Sequence, residues 1–160
     1  MGRVVTVDEL CGIRERLRVE RKDVVFTNGC FDILHRGHIE YLSKAKAMGD
    51  VLIVGINSDP SVRRIKGSRR PLVCEEDRAF IVANLVPVDY VCTFEEDTPA
   101  GLIGKLHPDV LVKGADWNID EIVGKDVVER AGGRVETIEF TPNRSTSSII
   151  ERILERFTSP

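Results

Sequence analysis

Short, nearly continuous apolar runs alternate along the chain with longer segments in which apolar residues recur every three or four positions. The short runs predict strands covered on both faces, and the periodic segments predict amphipathic helices. The predicted strands begin near Val24, Val51, Val88, Asp109 and Arg134. Five strands joined by helical crossovers predict an α/β fold with a five-stranded parallel sheet and helices on both faces.

The first helix has a clear start signal. Thr6 and Glu9 have the spacing of a capping box, in which each side chain satisfies a backbone N–H of the other's turn. Leu10, Ile13 and Leu17 then fall on one helical face, which predicts that this face is buried.

Three later segments give further expectations. Residues 119–131 read as one helix, and residues 145–157 read as the last helix. Five apolar residues of that last helix are expected on its core face: Ile149, Ile150, Ile153, Leu154 and Phe157. Residues 57–74 are polar and basic and contain prolines, which predicts a long mobile loop.

Length and composition limit the class of protein. At 160 residues, with 42% hydrophobic and 31% charged residues, the chain is expected to form one domain over 1–160, with an N-terminal helical segment (1–22) and a core (23–157). The net charge of −3 argues against general nucleic-acid binding. The sequence shows neither a membrane-length apolar run nor a signal-peptide pattern, so no membrane association and a cytoplasmic location are expected.

The four cysteines are Cys11, Cys30, Cys74 and Cys92. None of them forms a C-x-x-C pair, which disfavours a zinc site, and we expect reduced thiols. Cys30 as a catalytic nucleophile is a minor alternative, because phosphoryl transfer between phosphates needs no thiolate.

The unusual polar clusters all follow predicted strands. They cover residues 28–38, 57–59, 113–117 and 141–148. Parallel strands collect their carboxyl ends on one edge of the sheet, where ligands of such folds bind. The clusters therefore predict one ligand site at that edge.

The most informative of these clusters contains His35, Gly37 and His38 where a helix should begin. Imidazole N–H groups, a glycine without a Cβ and the dipole at a helix N-terminus together suit a polyphosphate. Two incidental surface histidines, or an H-x-x-H metal pair, are the alternatives. The metal pair is disfavoured because no third ligand lies within sequence reach.

The run from Gly29 to His38 resembles the H-x-G-H signature of the cytidylyltransferase-like nucleotidyltransferases. Other segments resemble the members of that family that make ADP-heptose. These are Asn57-Ser58-Asp59, Lys66-Gly67 with Arg70-Pro71, Phe94 to Pro99, Val112 to Asp116, and Ser145-Thr146-Ser147 with Ile149-Ile150. The resemblance covers about residues 4–153.

This resemblance implies a single Rossmann-like domain that transfers AMP from ATP to D-glycero-β-D-manno-heptose 1-phosphate, with Mg²⁺ accompanying the phosphates. It implies that His35, His38 and Lys46 are catalytic, with Lys46 binding a phosphate. It also implies a homodimer. Relatives often carry a fused sugar kinase, so a separate sugar kinase is expected to supply the acceptor. No dedicated metal ligands are expected in the chain.

Position after the strands, together with the resemblance, predicts the nucleotide-binding residues. They are Asn28, Gly29, Cys30, Phe31, Gly37, Lys66, Lys113, Gly114, Asp116, Trp117, Ser145, Thr146 and Ser147. Asp116 is expected at the ribose hydroxyls and Trp117 at the pocket border, although a turn aspartate and a half-buried tryptophan would look the same.

Several of these side chains have a second interpretation. The hydroxyls of residues 145–148 suit phosphates, but one of them could simply cap the helix. Lys46 could be a solvent-facing helix lysine. Arg78 resembles an arginine of the family and could equally be a surface salt-bridge partner. The basic run from Arg63 to Arg70 could close over phosphates or be a solvated loop. Asp32 is expected to stabilise its turn rather than contact ligand.

Alternative functions stay open at this point. A cytidylyltransferase acting on glycerol 3-phosphate or phosphoethanolamine shares the histidine signature, as does FAD synthetase. A nucleotide-binding regulatory subunit without turnover is the alternative from a different class, and two histidines, a hydroxyl-rich helix start and a basic loop argue against it.

Overall fold

The computed structural model describes residues 1–115, 118–139, 141–142 and 144–158. Its strands are β1 (Arg3–Val4), β2 (Val24–Gly29), β3 (Val51–Asn57), β4 (Tyr90–Phe94), β5 (Val110–Gly114) and β6 (Arg134–Ile138). Its helices are α1 (Val7–Val19), α2 (Arg36–Lys46), α3 (Asp59–Lys66), α4 (Glu75–Ala83), α5 (Ala100–Leu106), α6 (Lys125–Arg130) and α7 (Thr146–Thr158), with a 3₁₀ turn at Ile119–Glu121.

All described strand pairs are parallel, and the strand order is β1-β4-β3-β2-β5-β6. The predicted α/β class and parallel sheet are therefore confirmed, but the predicted count of five strands is wrong. The sixth strand is β1, where Arg3 and Val4 pair with Tyr90 and Val91 at the sheet edge. Two residues are too short to give an alternating pattern, so the sequence carries no signal for them.

Helices cover both faces of the sheet, as predicted. On one face, α2 and α4 contribute Leu42 and Val82 to a core that contains Val25 and Val54. On the other face, α1, α5 and α6 pack over Phe26 and its neighbours. The capping box at Thr6 forms, and Leu10, Ile13 and Leu17 are buried, as the sequence predicted. A sheet sandwiched this way leaves its carboxyl edge as the open side.

Residues 57–74 are not one loop, because α3 occupies the first half of that segment. Ser58 caps α3 by accepting the Ser61 N–H, and Pro60 lies in the first turn, where its missing N–H costs no hydrogen bond. Gly67 ends the helix with φ 94°. The prediction of a loop was wrong because a proline that starts a helix was interpreted as a helix breaker.

Two other helix predictions need correction. The expected helix over 119–131 is a 3₁₀ turn followed by α6, because Gly124 adopts φ 89° between them. The apolar face of α7 does not enter the core. Ile153 is 47% exposed and Phe157 is 82% exposed, and α7 contains no buried residue.

Within the described residues, the structure has no helix that is both long enough and apolar enough to cross a membrane.

Candidate active site

A cavity of about 450 Å³ opens at the carboxyl edge of the sheet. The ends of β2, β3 and β5 and the first turn of α7 contribute to its wall. Its lining includes ten of the residues predicted to form the site: Asn28, Gly29, Cys30, Phe31, His38, Lys66, Lys113, Gly114, Thr146 and Ser147. Polar clusters that are far apart in sequence therefore meet in one place, as the strand-end argument predicted.

The loop after β2 has a constrained backbone. Phe31 adopts φ 48°, a left-handed conformation that non-glycine residues rarely take. A Cβ at Gly29 would lie 3.0 Å from the Phe31 ring. The same ring lies 5.4 Å from the His38 ring, between centroids. Unfavourable backbone conformations of this kind concentrate at functional sites, where surrounding contacts hold them.

The two imidazoles stack on each other with ring centroids 3.9 Å apart. The backbone N–H of His35 donates to Nδ1 of His38 at 3.3 Å. An Nδ1 that accepts a hydrogen bond carries no proton, so neutral His38 holds its proton on Nε2 and offers that N–H as a donor. Burial, with a smaller contribution from the neighbouring His35, lowers the pKa of His38 to about 4.

His35 has a buried nitrogen without a partner. Its Nδ1 makes no hydrogen bond to the residues that the structure describes. Burial and the charge of Arg144 both lower the pKa of His35. Near pH 7 both rings are therefore neutral, and an unsatisfied buried polar atom is a common mark of a functional site.

The depressed pKa of His38 predicts a pH-dependent stability. The folded protein holds His38 at a pKa of about 4, below its ordinary 6.5. As pH falls from about 6.5 towards 4, the unfolded chain binds a proton that the folded chain does not, so stability is lost over that window. After allowance for solvent screening, we expect the loss to be about 1–2 kcal/mol.

Urea denaturation of the wild type and of His38→Gln across that pH range measures the contribution of His38 to the free energy of unfolding. Carboxylates titrate in both proteins, so their contribution cancels in the difference. The wild type should lose more stability than the variant as the solution is acidified. Equal losses would show that His38 is not held neutral by the fold.

Gly37 lies against both His35 and the chain leading into α7. A Cβ at this position would be 3.1 Å from His35 Nδ1 and Cε1, and 3.3 Å from the Cβ of Arg144. Gly37→Ala should therefore displace the imidazole by a few tenths of an ångström and lower kcat/KM by about tenfold to hundredfold. Steady-state kinetics beside a thermal melt would separate this effect from unfolding, and Gly104→Ala, with open space around it, is the matched control.

Asp32 was expected to stabilise its own turn, but the structure gives it a different role, because its carboxylate contacts the segment after α3. Its carboxylate is buried and accepts the N–H groups of Leu72 and Val73, each at 2.8 Å, and the Nε of Arg70 at 2.5 Å. Burial opposes ionisation, but the hydrogen bonds from Val73, Leu72 and Arg70 outweigh it and lower the pKa of Asp32. Asp32 thus connects the histidine loop to the segment after α3.

Arg78 lies beneath the site, with its guanidinium fully buried. It donates to the carbonyl oxygens of Val73, Cys30 and Asn57 and to the carboxylate of Asp59. The interpretation of Arg78 as a surface salt-bridge partner is therefore wrong. The side chain holds the ends of β2 and β3 in place, because Cys30 follows β2 directly and Asn57 is the last residue of β3.

The far side of the cavity is formed by β5. Lys113 Nζ donates to Asn28 Oδ1, which ties the ends of β5 and β2 together. Gly114 follows in the lining. Asp116 and Trp117, predicted at the ribose and the pocket border, lie outside the described residues.

The start of α7 divides its hydroxyls between two roles. Ser145 Oγ accepts the N–H of Ser148 at 3.0 Å, so Ser145 caps the helix. Thr146 Oγ1 donates to the carbonyl of Ile33 at 3.0 Å and connects α7 to the histidine loop. Ser147 and Thr146 line the cavity. Helix capping and cavity lining thus belong to different residues of the same run.

The structure does not bring Lys46 to this site, and the prediction for that residue needs correction. Lys46 lies at the last turn of α2 and donates to the carboxylate of Asp89 and the carbonyl of Asp50, both at 2.5 Å. Asp50 and Asp89 precede β3 and β4, so these contacts lie at the amino edge of the sheet. Lys46 therefore has a structural role, and not one at a phosphate.

Cys30 remains a thiol in this environment. Burial raises its pKa, and the nearby cations of Lys66, Arg78 and Arg70 only partly oppose that effect. A raised pKa removes the thiolate that a nucleophilic cysteine needs. All four cysteines are free.

The geometry also shows residues that the sequence analysis missed. Arg144, immediately before the hydroxyl-rich start of α7, is close enough to His35 to influence its pKa. Tyr41 lines the cavity, and its hydroxyl is hydrogen-bonded to Thr27 Oγ1 and donates to the carbonyl of Val112. An arginine directly before a hydroxyl-rich helix N-terminus could have been predicted to lie at the site. No local sequence pattern predicts the position of Tyr41.

A Rossmann-like parallel sheet with an H-x-G-H loop at its carboxyl edge is the arrangement of a nucleotidyltransferase domain. The comparisons agree. The Cytidylyltransferase-like family matches residues 26–152, and the chain belongs to that family.

Two curated relatives are both named bifunctional protein HldE. The chain is 57% identical to the one from Syntrophotalea carbinolica over 91% of its own length, and 53% identical to the one from Geobacter sulfurreducens over 98%. It spans only 30% and 32% of those proteins, respectively.

Solved structures share the fold. The lipopolysaccharide core biosynthesis protein from Thermoplasma volcanium has a TM-score of 0.62 at 30% identity, with 75% of this chain and 97% of that chain covered. Pantoate-beta-alanine ligase from Francisella tularensis has a TM-score of 0.62 at 15% identity, with 95% and 73% covered. The second likeness shows the fold alone.

Proposed function

We propose that this domain transfers AMP from ATP to D-glycero-β-D-manno-heptose 1-phosphate, giving ADP-heptose and pyrophosphate. One observation carries the proposal. The histidine loop and the start of α7 line the same cavity and are bonded to each other through Thr146 and the Ile33 carbonyl. The relatives named bifunctional protein HldE, together with the matching segments from Asn57 to Ile150, support this acceptor.

The reaction forms one bond and breaks one. A phosphate oxygen of the acceptor attacks the α-phosphorus of ATP, and the bond from that phosphorus to the bridging oxygen of pyrophosphate breaks. The acceptor phosphate is already anionic near pH 7, so the step needs no strong general base. Catalysis then consists of alignment and of stabilising charge on the phosphate oxygens.

The neutral tautomer defines the role of His38. With Nδ1 accepting the His35 N–H, its Nε2–H is a fixed donor for a phosphate oxygen. Fixed dipoles that need no reorganisation stabilise developing charge well. Lys66 in the cavity wall and Arg144 beside His35 provide cations for the triphosphate or the acceptor phosphate.

Mg²⁺ would be held mainly by the triphosphate itself. Over the described part of the chain, no group of three or more histidine, cysteine or acidic side chains could hold a metal ion. This donor set suits an ion that stays on phosphate oxygens and water, as Mg²⁺ does. When bound, such an ion would supply charge neutralisation on the pyrophosphate, while the residues named above orient the phosphates.

A pyrophosphate-release assay tests the proposal. The protein is given ATP or CTP with heptose 1-phosphate, glycerol 3-phosphate or phosphoethanolamine, and products are identified by mass spectrometry. We expect ADP-heptose from the first pair and at least about a hundredfold lower kcat/KM for the others. Preference for CTP would indicate a cytidylyltransferase. Nucleotide binding with no turnover of any of the substrate pairs would indicate a regulatory subunit.

We also infer the partners. The acceptor must come from a reaction that phosphorylates the sugar at its anomeric carbon, and we infer that a separate sugar kinase carries out that reaction. The homodimer stays a prediction, which light scattering of the purified protein would test by a mass of two chains.

A further inference from the structure

We propose that Asp97 is a specificity-determining residue that accepts hydrogen bonds from hydroxyl groups of the acceptor sugar, and that Arg64 is its positioning residue. The inference rests on the proposed function, because it needs an acceptor that carries both a phosphate and several hydroxyls. It concerns the half of the cavity beyond the histidines, to which the mechanism above assigns no carboxylate.

The two halves of the cavity differ in chemistry. Beside β5, Gly114 is accompanied by Ile122 and Val123, an apolar surface that suits the face of a base. At the ends of β3 and β4, the lining is mostly polar and charged and includes Asp97, Thr98 and Lys66, alongside Ile65 and Pro99.

The histidine loop follows β2, between these halves. Because in-line transfer places acceptor and nucleotide on different sides of the reacting phosphorus, the polar half is the place for the acceptor.

The segment after β4 is held on α3 by three hydrogen bonds. Arg64 Nε donates to Asp97 Oδ1 at 2.6 Å, and its Nη2 donates to the carbonyl of Glu95 at 2.6 Å. Ser61 Oγ, itself fully buried, donates to the carbonyl of Glu96 at 2.9 Å. Three consecutive residues are thus fixed in position at the rim of the cavity.

Stability does not account for the Arg64–Asp97 contact. The two side chains are 50% and 54% exposed, and ion pairs this exposed contribute little to folding. What the contact does achieve is orientation. Arg64 engages one carboxylate oxygen, Oδ1, while Oδ2 and the Thr98 hydroxyl make no hydrogen bond with any residue in the described ranges.

The sign of the charge decides what Asp97 can bind. A carboxylate repels phosphate, so Asp97 cannot hold the phosphate of the acceptor, which the cations Lys66 and Arg70 suit instead. Oriented carboxylate oxygens accept hydrogen bonds from sugar hydroxyls. Cations and a carboxylate in one cavity wall therefore fit a sugar phosphate, with its phosphate end at the cations and its hydroxyls at Asp97.

Kinetics of Asp97→Asn with ATP and heptose 1-phosphate test this inference. Loss of a hydrogen bond to a charged acceptor should raise KM for the sugar phosphate by about tenfold to hundredfold, while KM for ATP changes less than about twofold. Arg64→Gln should show the same pattern more weakly, and Arg64→Lys should restore part of it. Glu95→Gln, an exposed acidic residue two positions away, is the matched control and should behave as the wild type.

Calorimetry adds a readout without turnover. Sugar phosphate binding in the presence of a non-hydrolysable ATP analogue should weaken in Asp97→Asn by the same factor as KM rises. Mannose 1-phosphate analogues lacking one ring hydroxyl at a time then locate the contact. At least one deoxy analogue should bind the wild type more weakly than mannose 1-phosphate does. For Asp97→Asn, the same pair of ligands should differ much less in affinity.

The outcomes separate the two proposals. A wild type that does not use any sugar 1-phosphate contradicts the proposed function. An active wild type with an unchanged KM in Asp97→Asn, or equal losses with every deoxy analogue in both proteins, overturns the role of Asp97 and leaves the proposed function intact.

Discussion

Replacing His38 by alanine should lower kcat/KM by about a thousandfold while leaving the protein folded. His38 lines the cavity, and its Nδ1 is held by the His35 N–H, so its Nε2–H is fixed as a donor. Loss of one fixed donor to a transition-state oxygen costs about 10²–10³ in rate. The loss here should reach the upper end of that range because His38 also supports the stacked ring of His35.

Pyrophosphate release measures the effect, and circular dichroism with a thermal melt confirms folding. The matched control is His107→Asn, because His107 lies in the turn before β5 at the opposite edge of the sheet, and asparagine tolerates its φ of 44°. We expect this control to keep full activity. A folded His38→Ala protein within tenfold of the wild type would contradict the catalytic assignment of the histidine pair.

The sheet was predictable because its strands are covered on both faces. Residues such as Val24, Val25 and Phe26 are fully buried whichever way they point, so the sequence shows an uninterrupted apolar run. β1 was not predicted because its strand conformation depends on pairing with Tyr90 and Val91 rather than on its own pattern of apolar residues. Edge strands of two residues are fixed by their neighbours.

The helix errors have local causes. α3 begins with a serine cap and Pro60, which is a start signal once the following residues are seen to be helical. Gly124 interrupts the segment before α6 through a positive φ that apolar periodicity does not report. For α7, an apolar stripe correctly predicted a helix, but it could not predict what the stripe contacts.

The site was predictable where it is local in sequence. His35, Gly37 and His38 lie within one turn, so their spacing fixes their proximity. Lys46 was misplaced because eight further residues of helix carry a side chain about 12 Å along the axis, towards the other edge of the sheet. The contacts of Arg78 with Cys30 and Asp59, and of Arg64 with Asp97, join residues 19 to 48 positions apart, and no local pattern encodes them.

Replacing Arg78 by methionine should destabilise the fold by about 3–5 kcal/mol. The buried guanidinium satisfies three carbonyl oxygens and the carboxylate of Asp59. Methionine has a similar reach but no donor, so the substitution leaves those oxygens without their partner in a poorly solvated place. Urea denaturation measures the loss as a lower midpoint at an unchanged slope.

Arg130→Met is the matched control for that measurement. The Arg130 side chain is 75% exposed and pairs with Asp126 one turn away, so its loss should change stability by less than about 0.5 kcal/mol. Arg78→Lys separates the effect of charge from that of geometry. Lysine keeps the positive charge, but its single ammonium group cannot reach the acceptors that the planar guanidinium contacts in several directions.

We expect Arg78→Lys to lose most of the stability that Arg78→Met loses, since the carbonyls of Cys30, Asn57 and Val73 surround the guanidinium from different segments. A lysine variant as stable as the wild type would show that charge alone suffices. A methionine variant within about 1 kcal/mol of the wild type would show that the strand ends hold their positions without Arg78, which would remove the link between this buried side chain and the shape of the cavity above it.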